Sequence, residues 1–294
     1  MLAWPVASIG WITSLVQRAA ASQERINHFL FLKSNIQNQT TENTPIKGDV
    51  NFKNVQLIYD DTNITALDDV SFTIKEGQTL GVFGKTGCGK STIANLVCRL
   101  YDTTKGKITF GKTEIKKLNL NNLRSAIGYI PQDGYLFSGT VRENIAFSTD
   151  NIDDERILEA AEKAEILEEI TNFTNGLDTI IGERGVQLSG GQRQRMAIAR
   201  TFYKKPDFFI LDDCLSAVDA TKEQKILHHL RLESKGKSSI IISHRVSSLT
   251  EADSIIVLDK GKIIERGTHQ QLLDQKGFYF SMHNSQSNTT ENSI

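Results

Sequence analysis

Eight consecutive residues, Gly84-Lys-Thr-Gly-Cys-Gly-Lys90-Ser91, have the composition of a phosphate grip. Glycines let the backbone curl so that successive N–H groups, those of Thr86, Gly87, Cys88 and Gly89 among them, converge on one anion. A helix starting at Lys90 adds the positive end of its dipole. An apolar strand (Thr79–Phe83) precedes the loop and an apolar helix (Lys90–Leu100) follows it, the context in which this P-loop pattern carries meaning. There the Lys90 ammonium reaches β- and γ-phosphates, the Ser91 hydroxyl is a ligand for Mg²⁺, and Thr92 adds an α-phosphate contact. Four such fixed positions recur by chance in on the order of one chain in a hundred, so the loop is expected to bind ATP or GTP. Cys88 lies inside it, and its alkylation is expected to block ATP binding, with ATP protecting.

Two further stretches suit the same chemistry. Phe208-Phe-Ile-Leu-Asp212 is an apolar strand ending in a carboxylate, and on an adjacent strand Asp212 would share Mg²⁺ with Ser91. In Leu188-Ser-Gly-Gly-Gln192, Ser189, Gly190 and Gly191 open a helix running to about Tyr203, whose free N–H groups form a second anion site. Two phosphate-seeking helix starts in one chain cannot usually serve one nucleotide.

Leu188–Gln192, with the Arg193-Gln-Arg-Met-Ala-Ile-Ala-Arg200 that follows, resembles the signature motif of ABC ATPases. The resemblance implies a head-to-tail dimer, in which each ATP lies between one subunit's P-loop and the other's Ser189, Gly190, Gly191 and Gln192. It makes Tyr59 similar to the aromatic that stacks on adenine. Gln132, in Ile-Pro-Gln-Asp, resembles the Q-loop glutamine, a contact for Mg²⁺ or water. Ser216-Ala-Val-Asp219 resembles the D-loop that crosses the dimer interface, and Asp219 is counted with the nucleotide site. His244 resembles the switch histidine that touches the γ-phosphate. The resemblance covers about Gly48 to Met282 and rests on six separated motifs in order. ATP and Mg²⁺ are the implied ligands. The implied fold is α/β: a P-loop NTPase core with an antiparallel β subdomain and an inserted α-helical subdomain.

One position departs from the family. Most members follow the strand-end aspartate with a glutamate that polarises the attacking water; here the sequence reads Leu211-Asp212-Asp213. The Asp213 carboxylate is one methylene shorter, and a base displaced by about 1 Å can lose about a hundredfold in rate. With an intact signature motif, this resembles the impaired half of a heterodimeric exporter. A homodimer in which Asp213 works as a slower base is the other reading.

The elements that must carry these residues are strands alternating with helices from Gly48 onward. Expected strands are Val50–Leu57, Val70–Ile74, Thr79–Phe83, Lys107–Phe110, Ile127–Ile130, Phe208–Leu211, Ser239–Ile242 and Ser254–Leu258. Expected helices are Lys90–Leu100, Asp154–Phe173, Gly190–Tyr203 and Thr221–Glu233. A helix-rich stretch, about 133–187, interrupts the alternation. Residues 35–47, with Asn, Gln, Thr and Pro45, read as a linker. Residues 284–294 are Ser/Asn/Thr-rich and expected to be disordered, ending a nucleotide-binding domain over 48–283.

The N-terminus differs. Met1–Val16 carries no charged side chain, and Gln17–Lys33 reads as an amphipathic helix with Ile26, Phe29, Leu30 and Leu32 on its apolar face. Sixteen residues fall short of the roughly 20 needed to span a bilayer, and no basic segment makes them a signal peptide. Residues 1–34 resemble the cytoplasmic end of an exporter's last transmembrane helix and its linker, with the upstream part of the membrane domain missing. Tyr135-Leu-Phe-Ser-Gly-Thr-Val-Arg-Glu-Asn-Ile145 resembles the exporter surface that receives coupling helices, with Tyr135 and Phe137 exposed. Thr179-Ile-Ile-Gly-Glu-Arg-Gly185 resembles the loop that senses them. Importer ATPases and soluble ABC ATPases are the alternatives. Between Lys90 and Leu188 there is no room for the coiled coil of DNA-repair types. A formal charge of -1 without a basic block gives nucleic acid no electrostatic footing. The three cysteines, Cys88, Cys98 and Cys214, show no metal-ligand spacing. The expected setting is the cytoplasmic face of a cell membrane, beside a second ABC subunit.

Overall fold

The computed structural model describes residues 3–31, 34–149, 151–182 and 186–291. Leu32 and Lys33 of the expected amphipathic helix, and Glu183, Arg184 and Gly185 of the expected sensing loop, lie outside the described residues. The chain forms two compact units, residues 1–37 and 38–294. In the first, the two segments read separately from sequence are one helix, α1 (Ala3–Leu30), with Pro5 in its opening turn, where a missing N–H costs nothing. None of its residues is buried, and Trp4, Trp11, Ile12 and Val16 are exposed. Among the described residues no helix is long and apolar enough to cross a membrane.

The second unit begins inside the expected linker. Asn38 Oδ1 accepts from Leu120 N (3.0 Å), Thr44 O accepts from the Asn122 amide, and Ile46 is buried. In chain order follow β1 (Val50–Ile58), β2 (Thr65–Ile74), β3 (Thr79–Gly84), α2 (Lys90–Val97), β4 (Lys105–Phe110), β5 (Thr113–Glu114), α3 (Leu120–Ala126) and β6 (Ile127–Ile130). Then come β7 (Gly139–Thr140), α4 (Val141–Ile145), α5 (Asp154–Lys163), α6 (Leu167–Thr171), β8 (Ile180–Ile181), α7 (Gly190–Lys204) and β9 (Phe208–Asp212). The chain ends with α8 (Ala220–Ser234), β10 (Ser238–Ser243), β11 (Ser254–Asp259), β12 (Lys262–Gly267), α9 (His269–Asp274) and α10 (Phe278–Glu291).

One sheet is antiparallel, in the order β2-β1-β4-β5; the larger runs β12-β11-β3-β10-β9-β6. Within the larger sheet every pairing is parallel except β11 with β12. The parallel strands are covered on both faces, which explains unbroken apolar runs such as Phe208–Leu211, all buried. One core fills the space between the two sheets and α2; a second joins β9 to α4–α8; a third packs β3 and β11 against α9 and α10. The α/β class and the helical insertion are as expected.

Three sequence expectations need correction. The expected helix Asp154–Phe173 is two helices, because Ile157, Ala160, Ala161 and Ala164 share a face but buried Ile166 does not. Glu165 takes a left-handed conformation (φ 53°) to turn Ile166 inward. The edge strand β12 was not foreseen. Lys260 and Gly261, both at positive φ, make the two-residue turn that pairs Asp259 with Lys262. The tail expected to be disordered is helical as far as Glu291, because Tyr279 and Phe278 give α10 a buried face.

Candidate functional site

The carboxyl ends of β3, β9 and β10 open onto one cleft of about 410 Å³. Ten residues proposed from sequence line it together: Thr86, Gly87, Gly89, Lys90, Ser91 and Thr92 from the P-loop, with Gln132, Asp212, Asp213 and His244. Tyr59, from the loop between β1 and β2, is an eleventh. The register explains the convergence: Ile242 pairs with Asp212 on one side and with Val82 on the other, so the loops leave the sheet side by side.

Local chemistry holds each group in place. Gly89 caps α2 at φ 103°, and a Cβ there would meet Ala66 O at 2.4 Å, so only glycine lets the loop close against β2. Lys90 Nζ donates to the carbonyls of Gly84 and Lys85, both at 2.8 Å, which folds the ammonium back over the loop. The Tyr59 hydroxyl lies 3.1 Å from Thr92 Oγ1, and its ring meets the edge of Tyr101 at 5.0 Å.

Asp212 is buried, accepting from Ser91 Oγ (3.1 Å) and Tyr129 OH (3.3 Å). Burial pushes its carboxyl above the usual carboxylate range, and those two hydrogen bonds offset part of the effect. A carboxylate whose charge is disfavoured by its own surroundings is relieved by a divalent cation. Ser91 hydroxyl, Asp212 carboxylate and Gln132 amide form an all-oxygen donor set of the kind Mg²⁺ takes, and in that respect these residues fit it. Asp213 stands at φ 47°, a left-handed conformation that Asp tolerates better than Glu, and its Oδ2 is 2.5 Å from His244 Nδ1.

The other proposed residues lie elsewhere. Gly84 ends β3 beneath the loop. Cys88 is 5% exposed, and its Sγ packs beside Gly84 in the core rather than in the cleft. Burial raises its thiol pKa, with Lys90 opposing the rise, so the expected reactive cysteine is corrected to a buried, protonated one. Its contribution to the loop is through the backbone. Asp219 caps α8, accepting from Lys222 N (3.0 Å), outside the cleft.

Ser189, Gly190, Gly191 and Gln192 open α7, and none of them lines the cleft. Ser189 Oγ accepts from Gln192 N (3.3 Å) and Gln192 Oε1 from Ser189 N (2.9 Å), a capping box. A Cβ on Gly191 would meet Ala217 O at 2.7 Å, whereas one on Gly190 would find its nearest neighbour at 3.8 Å. The two glycines therefore differ: Gly191 seats the helix on the loop after β9, and Gly190 keeps its outer face bare.

Sequence reasoning missed Ile64, Thr65 and Ala66 at the β2 edge, and Lys260 and Gly261 of the β11–β12 turn, all of which line the cleft. The Asp-Lys-Gly-Lys turn between apolar runs was the available signal. It also missed Gln194, buried in α7, whose Nε2 donates to Gln132 O (3.0 Å) and whose Oε1 accepts from Ala217 N (3.1 Å). Nothing in a single sequence marks a mid-helix glutamine for this role.

The family model described as ABC transporter matches residues 67–216. This chain belongs to the ABC transporter family. It is 41% identical over 280 residues to the probable multidrug resistance ABC transporter ATP-binding/permease protein YheI of Bacillus subtilis, covering 95% of this chain and 48% of that one. It is 40% identical to the multidrug resistance-like ATP-binding protein MdlA of Escherichia coli, covering 96% of this chain and 48% of that one. A solved structure of a bacterial Atm1-family ABC exporter with ATP bound superposes with a TM-score of 0.85 at 33% identity, over 96% of this chain and 50% of that one. The chain thus spans about half the length of the relatives it matches. It is an ABC nucleotide-binding domain, and its fold is the ABC ATPase fold.

Two predictions follow from the cassette's geometry. Because the Asp212 pKa is raised on folding, its ionisation weakens the empty domain as pH climbs past the unfolded carboxylate value through the raised one, and the cost remains at neutral pH. Asp212→Asn is therefore expected to raise the melting temperature of the nucleotide-free domain by a few degrees, about 2–4 °C per kcal/mol relieved. The same change should remove the Mg²⁺-dependent part of ATP affinity; a lower melting temperature would contradict the assigned burial cost. Iodoacetamide should modify Cys88 slowly whether or not ATP is present. Rapid labelling that ATP suppresses, followed by mass spectrometry of the Cys88 peptide, would show the thiol to face the cleft after all.

Proposed function

We propose that this chain is the ATP-binding and ATP-hydrolysing part of an exporter, working at the cytoplasmic face of a membrane against a second ABC subunit. The observation that carries the reading is the separation of two glycine-rich helix starts. Lys90 opens α2 inside the cleft, while Ser189 opens α7 outside it. A helix start with a bare Gly190 face leaves room for an anion from elsewhere, and a head-to-tail companion would supply the phosphates of its own ATP.

In the closed pair the P-loop N–H groups and Lys90 hold the phosphates, Tyr59 stacks on the adenine, and His244 touches the γ-phosphate. Ser91, Asp212 and Gln132 would hold Mg²⁺, which would supply neutralisation of the phosphate charge. Asp213 takes the position of the water-polarising base. ATP binds the closed pair more tightly than the open one, and that difference is the work available for transport. Loss of the bridging γ-phosphate removes it.

The exporter assignment is supported by the relatives of multidrug-resistance name and by an exposed aromatic surface. Tyr135 is 67% and Phe137 39% exposed, and Phe137 stacks on Phe147 at 4.2 Å beside the Arg200 guanidinium. Such a patch suits the coupling helices of a membrane domain. Residues 1–34 are read as the cytoplasmic end of that domain.

The engagement of Asp213 with His244, on a left-handed backbone, supports a weak base at this chain's own site, as in the impaired half of a heterodimer. A homodimer with a slower base predicts the same contact.

Gly190→Glu places a carboxylate where the companion's phosphates would lie, in space the fold leaves open. ATP-driven closure and ATP turnover of the assembled transporter should fall by at least about tenfold, with the melting temperature little changed. Undiminished turnover would sink the two-sided grip. Asp213→Glu restores the missing methylene, and ATP turnover at this chain's site should rise by about ten- to a hundredfold. An unchanged single-site rate would show that reach is not what limits Asp213.

A further inference from the structure

The end of the chain carries a device that composition hid. Helix α10 is pinned at its start, where the two carboxylate oxygens of Glu265 on β12 accept from Phe278 N and Tyr279 N. A negative group at a helix N-terminus is favourable. Tyr279 is then fully buried, edge-on to Phe83 at 5.2 Å, in a cluster with Val246 and Leu249. Phe83 leads into the P-loop, and Val246 follows His244 by two residues, so α10 packs on the stems of both. Two turns beyond Tyr279, on the same stripe of the helix, stands Gln286. Its Oε1 accepts from Val246 N (2.9 Å) and its Nε2 donates to His244 O (2.7 Å). One planar amide thus grips the backbone on both sides of Arg245.

We infer that Gln286 is a positioning residue for the nucleotide site: it fixes the loop that carries His244, so that the imidazole meets the γ-phosphate. The inference rests on the reading of His244 as that contact. An imidazole on a loop of a few residues moves with its own main chain, and a loss of hydrogen bonds that lets the loop shift by about 1 Å is enough to spoil a phosphate contact. The effect must be selective. ADP has no γ-phosphate, so a positioning role lowers ATP affinity and spares ADP affinity, whereas a general packing role lowers both.

The test is photolabelling of this polypeptide in the intact, membrane-embedded transporter with 8-azido-ATP and 8-azido-ADP, in the presence of Mg²⁺. Gln286→Leu removes both hydrogen bonds, and Gln286→Glu keeps the acceptor for Val246 N but sets a second oxygen against His244 O. Both are expected to weaken ATP labelling roughly three- to tenfold, the net effect of a hydrogen bond or two, with ADP labelling within about twofold of the unaltered protein. In a His244→Ala background Gln286→Leu should then add nothing, because the two act as one unit. Equal loss of ATP and ADP labelling, an additive effect on top of His244→Ala, or a Gln286→Glu protein that labels normally would each overturn the inference. If His244→Ala itself leaves ATP and ADP labelling in their usual ratio, it is the γ-phosphate reading of His244 that fails.

Discussion

In the parallel pairing of β9, β10 and β3, Asp212 stands opposite Ile242 and Ile242 opposite Val82, so three strands break off within a residue or two of one another. Most of the groups proposed to touch phosphate or its cation hang from those ends. The P-loop leaves β3, Asp212 and Asp213 leave β9, and His244 leaves β10. Strand side chains alternate between faces, so a slip of one residue in any pairing would carry Asp212 away from Ser91. The register is held by burial: Leu80, Val82, Ile210 and Ile242 are all about fully enclosed, and the slip would drive them out of their cores. The geometry of the candidate site is in this sense a by-product of apolar packing, and the motifs need only decorate strand ends that the core has already aligned.

Decoration has a cost that the same packing imposes. Asp212 is enclosed by β-sheet neighbours with two hydroxyls to compensate it, and its ionised form is disfavoured. Asp213 next to it occupies a left-handed backbone conformation, with its amide still bonded to Ile242 O at 2.8 Å. Both features are local liabilities at a place where the surrounding sheet is rigid enough to enforce them, and both concern groups assigned to cation or water. Strain at a functional strand end is the expected location for it.

How much of this was legible in the sequence follows from the range of the interactions. Strands whose both faces are buried announce themselves as apolar runs, and the eight expected ones are all present, lengthened by a residue or more in most cases. The residues of Lys90–Thr92, Asp212, Asp213, Gln132 and His244 carry spaced motifs, and the fold brings them to one cleft. What escaped were features fixed by tertiary context. β12 is a half-exposed edge strand whose two adjacent isoleucines are flanked by charges. The break at Glu165 shows only when the faces of Ala164 and Ile166 are compared. The side chain of Cys88 points inward although its backbone belongs to the grip, and no spacing rule separates those two. Gln194 and Gln286 sit in helices of unremarkable composition and act through main-chain groups 62 and 40 residues away in sequence.

The first of these, Gln194, bears on how the two proposed nucleotide surfaces of the chain are joined. In the head-to-tail pair proposed above, one cassette's P-loop meets the other's signature helix, so each chain would have to keep two surfaces in fixed relation though they serve different nucleotides. In this chain the connection is short. Gln132 contributes to the cleft, and its carbonyl accepts from Gln194 in the signature helix; the same amide accepts from Ala217 N, next to the carbonyl against which Gly191 is seated. A displacement of the loop bearing Gln132 therefore bears on α7 through a buried amide rather than through solvent, and α7 cannot tilt without disturbing the loop after β9. Contact of this kind is a route and not by itself a coupling energy. It does, however, place both proposed nucleotide surfaces on one hydrogen-bonded frame. That is the arrangement a machine requires if closure around one ATP is to be felt at the other.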